Sequence, residues 1–138
     1  MLTDTLLALL LGGMIFFPLV VAPTVFIVLE DEPAGRFLRA LFPRYYLYLI
    51  VLSGLLAAAF MLSSFWLSAT FAAVALSTLW VRQRLMPRIN RARDQMLQGD
   101  RHAQRLFARG HRLSVSINML QLLVIVAWWV QLRWPVSL

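Results

Sequence analysis

Residues 45–81 read YYLYLIVLSGLLAAAFMLSSFWLSATFAAVALSTLWV, 37 residues without a single charge. A bilayer core takes roughly 20 apolar residues per helix. The stretch is therefore too long for one crossing and just long enough for two short ones. Ser63 and Ser64 sit near its middle, where two polar residues favour a tight turn over a continuing helix. The reading is two spans, Tyr45–Leu62 and Phe65–Val81, joined by a short hairpin. Outward from it, Leu6–Leu29 is another charge-free run of 24 residues and Leu113–Leu132 a third of 20. The expected architecture is an all-α integral membrane four-helix bundle. It has four spans (6–29, 45–62, 65–81 and 113–132) and a basic cytoplasmic helical hairpin between spans three and four.

Composition agrees. The 138-residue chain is 61% hydrophobic and 14% charged, too apolar to cover a soluble surface. Asp4 is the only early charge and the first apolar run is long, so that run reads as a retained span rather than a cleaved leader. There is no cysteine, which excludes disulfides, thiolate metal sites and a cysteine nucleophile.

All thirteen cations are arginine, against six acids, for a net charge of +7. Nine lie between Arg82 and Arg112, and Arg36, Arg39 and Arg44 lie between spans one and two. Positive charge in short loops marks the cytoplasmic side. Four spans place both basic segments there and both termini outside, which in a bacterial inner membrane is the periplasm. The same placement assigns the basic character to the lipid bilayer and its anionic headgroups, and no nucleic acid is expected as a partner.

Along the chain, Gly12-Gly13 permits close helix approach, and Pro18 and Pro23 bend span one. Glu30-Asp31-Glu32-Pro33 is helix-start chemistry. It opens a short interfacial helix over 34–42 that ends at the junction Pro43. Beyond span three, Leu85, Met86, Ile89, Ala92 and Met96 continue at helical spacing to Leu97. Gln98-Gly99-Asp100 is a turn, with Gly99 suited to the helix end and Asp100 to the next N-cap. From Arg101 the pattern resumes.

Two constellations carry candidate chemistry. His111, Ser114, Asn118 and Gln121 fall within an arc of about 80° on one face of span four. Polar groups facing lipid are costly, so this stripe faces the bundle. It lines a ligand site or bonds helices together. The second is an anion site between Arg88, Arg91 and the first loop's Arg39 or Arg44, since guanidinium forks suit phosphate and carboxylate. His111 is the candidate for haem; His102 lies nine residues away, about 180° around the helix, and cannot share a ligand with it, which leaves a single-ligand haem or a second ligand from another chain. No carboxylate lies in a span, which disfavours a proton or cation relay. No phosphate loop, His-Glu-x-x-His or triad is present.

Three segments carry a family resemblance: Phe37-Leu-Arg-Ala-Leu-Phe-Pro-Arg-Tyr-Tyr46, Arg84-Leu-Met-Pro-Arg-Ile-Asn-Arg-Ala-Arg93, and Phe107-Ala-Arg-Gly-His-Arg-Leu-Ser-Val-Ser-Ile-Asn118. Together they resemble the bacterial domain of unknown function 4149, similar to the transmembrane protein 205 group. The resemblance implies a four-helix membrane protein without an assigned activity. It marks Pro43, Pro87, Arg88, His111, Ser114 and Asn118 as motif positions of unassigned role. A distant similarity to the copper-resistance protein D superfamily and to a haem-binding oxidase implies a histidine in span one, where this chain has Leu10-Leu-Gly-Gly-Met14. The expected function is a non-enzymatic ligand- or partner-binding, accessory or transport-related membrane protein. The alternatives are a haem-binding redox protein and a homo-oligomer or subunit of a membrane complex.

Overall fold

In the computed structural model, residues 1–134 are described, and among them every regular element is helical. The elements are α1 (Leu2–Phe16), a π-helical turn (Phe17–Val21), α2 (Ala22–Val28), α3 (Asp31–Phe60), α4 (Phe65–Trp80), a second π-helical turn (Val81–Leu85), α5 (Met86–Leu97) and α6 (Arg101–Arg133). The segments join into four rods, Leu2–Val28, Asp31–Phe60, Phe65–Leu97 and Arg101–Arg133. Each is long and apolar enough to cross a membrane.

Both π-helical turns precede a proline. Ala22 N–H donates five residues back to Phe17 O, just before Pro23, and Met86 N–H to Val81 O, just before Pro87. A proline has no N–H and its ring crowds the carbonyl four residues earlier. The wider turn moves that carbonyl aside and keeps the rod continuous. Pro43 is accommodated differently. The expected break there does not occur, and α3 runs unbroken from Asp31 to Phe60 with Pro43 inside it. Nearby arginines take up carbonyls around the proline: Arg82 Nε donates to Pro43 O at 3.2 Å and Arg44 donates to Ala40 O at 2.7 Å. The segment expected as an interfacial helix is thus the first three turns of α3, with Ala34, Gly35 and Leu38 buried.

The turns follow local chemistry. Ser64 caps α4 by accepting from Leu67 N–H, and Ser68 Oγ reaches back to Ala57 O at 2.8 Å. Gly99 takes φ +94°, the left-handed conformation that a helix-ending glycine allows. Asp100 then caps α6 by accepting from His102 and Ala103 N–H.

The core is a column of apolar side chains at helical spacing: Leu7, Leu10 and Met14 of α1, Leu49, Leu52 and Leu56 of α3, Leu67, Phe71 and Val74 of α4, and Ile125 of α6. Outward faces are just as apolar. Leu19, Phe26, Ile27, Leu76, Leu120 and Leu123 are all exposed. A water-soluble domain does not present such a surface, whereas a bilayer covers it.

Candidate functional site

The polar stripe of α6 meets α3 and α4. Ser114 Oγ and Tyr46 Oη are 2.8 Å apart, and Asn118 Nδ2 donates to Tyr45 Oη at 3.4 Å. Gln121 Nε2 donates to Ser77 Oγ at 2.8 Å and Thr78 Oγ1 at 3.1 Å. Ser114, Gln121, Tyr45, Tyr46 and Thr78 are all buried. Phe17 stacks on Tyr45 at 4.2 Å and Phe42 on Tyr46 at 5.8 Å, so the phenols stand in an aromatic wall. Each of the three stripe amides and hydroxyls is therefore occupied by a neighbouring helix. Of the two readings of the stripe, this geometry supports hydrogen bonding between helices.

His111 stands apart. It is exposed, its ring lies over Phe107 at 6.0 Å, and it lines neither groove described below. Nor does any group of three or more His, Cys, Asp or Glu come together among the described residues. An exposed imidazole without an enclosing wall does not fit a haem, which needs a buried axial ligand and a shaped apolar slot.

Six of the arginines form two sets on opposite sides of α5. Facing α3, Arg39 donates to Asp94 Oδ1 at 2.8 Å and to Asn90 O at 2.9 Å, Arg93 donates to Asp31 O at 3.2 Å, and Arg36 is 3.8 Å from Glu32. Arg93 crosses directly over Gly35, where any side chain would collide with its guanidinium. Here cation meets acid or carbonyl, and the small groove between them is lined by both signs of charge.

Facing α6 the situation differs. A groove of about 450 Å³ runs along the seam of α5 and α6. Leu85, Ile89, Ala92, Leu106, Gly110 and Leu113 make its apolar floor, and Arg88, Arg91, Arg109 and Gln95 its polar lining. Gly110 allows the close approach, because a Cβ there would stand 2.8 Å from Ile89 Cγ1. Among the described residues no carboxylate lines the groove and none pairs with its three arginines.

Arg88 and Arg91 thus come together, but not with Arg39 or Arg44. Arg39 turns to Asp94 and Arg44 folds back onto its own helix. The third member is Arg109, which the sequence reading did not single out. The signal was present, since two helices joined at Gly99 face each other at positions roughly equidistant from it, and 88 and 109 are eleven and ten residues away.

With the geometry in view, one family pattern, described as a domain of unknown function (DUF4149), matches residues 5–98. The chain belongs to that family. The DUF4149 match covers α1 through the end of α5. It includes Pro43, Pro87, Arg88 and Arg91, and stops before His111, Ser114 and Asn118. No curated protein and no solved structure matches the chain.

Proposed function

We propose that this DUF4149 protein is a non-enzymatic, multi-pass inner-membrane protein that binds an anionic ligand or partner surface with its arginine-rich end. In this reading that end, including the α5–α6 hairpin, lies in the cytoplasm and both termini lie outside. The observation that carries it is the α5–α6 groove, where Arg88, Arg91 and Arg109 surround an apolar floor with no acid among the described residues lining it. Three like charges in one groove repel each other, and a bound anion relieves that repulsion. The orientation rests on the bias of arginine to cytoplasmic loops. The non-enzymatic assignment rests on the lack of a phosphate loop, a His-Glu-x-x-His motif or a triad in the sequence, and of a carboxylate within a span.

The test is thermal unfolding of the protein in nanodiscs of phosphatidylcholine, with and without phosphatidylglycerol. The reading expects a higher midpoint with the anionic lipid. The gain should disappear near 1 M salt, where the screening length falls to roughly 3 Å. Equal midpoints in both lipids at low salt would overturn it.

A further inference from the structure

We infer that the α5–α6 groove is a discrete binding site for one anionic phospholipid, rather than part of a diffuse basic collar. The inference rests on the anion-binding reading above and names its ligand class.

The layout follows the order of parts in a phospholipid. With the spans as read from the charge-free runs, Leu85 lies just beyond the end of span three and Leu113 begins span four, which puts both where the rods would leave the hydrocarbon. They offer an apolar mouth to the upper acyl chains. Arg88 is one helical turn beyond Leu85, and Arg109 one turn beyond Leu113, about 5 Å further out in each case. Two guanidinium forks from two helices thus flank the level of a lipid phosphate, the geometry to which arginine is suited. Arg91 and Gln95 continue outward along the same face of α5 and supply donors for the polar remainder of a headgroup. The volume of about 450 Å³ falls in the roughly 300–1,000 Å³ range of small-molecule sites, far more than a bare ion requires.

Charge complementarity selects the occupant. No acid of this end lines the groove: Asp94 is held by Arg39, Glu32 stands by Arg36, Asp100 caps α6, and Glu30 and Asp31 sit at the start of α3. Among the described residues the charged lining of the groove is purely cationic, while the neighbouring α3–α5 groove has acids among its arginines. Arg88, Arg91 and Arg109 are exposed, so a ligand can approach, and the apolar floor favours a chained anion over a free one.

Native mass spectrometry of the full chain in detergent, titrated with phosphatidylglycerol or phosphatidylcholine, tests this. The expected result is one saturable phosphatidylglycerol per chain that an equal concentration of inorganic phosphate does not displace. Arg88→Gln with Arg109→Gln should weaken binding by about 30-fold, from two lost contacts of ordinary membrane-surface strength. Arg101→Gln with Arg105→Gln removes the same charge outside the groove and should leave the one-site affinity within about twofold. Leu113→Trp, which fills the apolar mouth without touching charge, provides a second and independent loss, and circular dichroism checks that each variant folds. Equal weakening by both arginine pairs would overturn the discrete site and leave a collar. Displacement by inorganic phosphate would overturn the lipid assignment. No preference for phosphatidylglycerol in the unaltered protein would remove the anion-binding reading itself.

Discussion

At the scale of single residues, the adjacent glycines of α1 divide in role. A Cβ on Gly13 would stand 2.5 Å from Tyr48 Cε1, whereas a Cβ on Gly12 would meet nothing within 4 Å. Tyr48 Oη donates to Leu9 O, one turn from Gly13, so the ring is held where the glycine leaves room. Gly12→Ala should therefore stabilise the protein by up to about 1 kcal/mol through helix propensity. Gly13→Ala should destabilise it by about 1–3 kcal/mol, because the ring must leave its place and its hydrogen bond. Thermal unfolding in detergent separates the two, and equal shifts would contradict the packing. The pair Gly12-Gly13 announced a close approach. Which member makes it depends on helix rotation against α3, and no local signal in the sequence encodes that.

Among the elements, α6 is held through polar side chains as much as through packing. Only Ala103, Ser114, Gln121 and Ile125 of its 33 residues are buried. Gln121 reaches both Ser77 and Thr78 of α4, while each of those hydroxyls also donates to a carbonyl of its own helix. Gln121→Leu keeps the volume and removes the links. The expected cost is about 1 kcal/mol, the usual size of an interhelical hydrogen bond in a membrane, with phosphatidylglycerol affinity unchanged because the groove lies elsewhere. A loss of lipid binding in this variant, with its fold intact, would mean that the stripe takes part in the site after all.

Much at this scale was legible. The Ser63-Ser64 break, the Gln98-Gly99-Asp100 turn and the continuation of the third rod to Leu97 follow from polar punctuation and apolar period, and all are present. Of the α6 stripe, Ser114, Asn118 and Gln121 face the bundle as the cost of lipid-facing polar groups implies, whereas His111, at the end of the stripe nearest the turn, is exposed instead. The course of α3 through Pro43 was not legible, because it depends on tertiary neighbours such as Arg82. The partners of Arg39 were not either. A long flexible cation between Asp94 and a distant groove is decided by three-dimensional proximity, which spacing along one helix does not encode.

For the whole molecule, the rods alternate in direction and bring distant segments together at each end. Arg39 meets Asp94, Arg82 meets Pro43 and Arg93 meets Asp31 at one end, while Arg133 meets Asp4 at the other. Twelve of the thirteen arginines belong to the first end. These exposed pairs add little stability, since surface ion pairs are worth about 0–1 kcal/mol. Their consequence is a molecule with one strongly cationic pole, one nearly neutral pole and an apolar girdle between them. In the proposed orientation the cationic pole is the one retained on the inside, following the bias of positive charge to cytoplasmic loops.

That orientation underlies the proposed function, and the absence of native cysteine makes it directly measurable. Single cysteines would be introduced as Ser63→Cys, in the α3–α4 turn, and Gln98→Cys, in the α5–α6 turn, then treated with a membrane-impermeant maleimide on intact cells whose outer layers admit it. The account predicts labelling of the Ser63→Cys protein in intact cells, and of the Gln98→Cys protein only after the inner membrane is opened. Labelling of the Gln98→Cys protein in intact cells would place the arginine-rich end outside and contradict it.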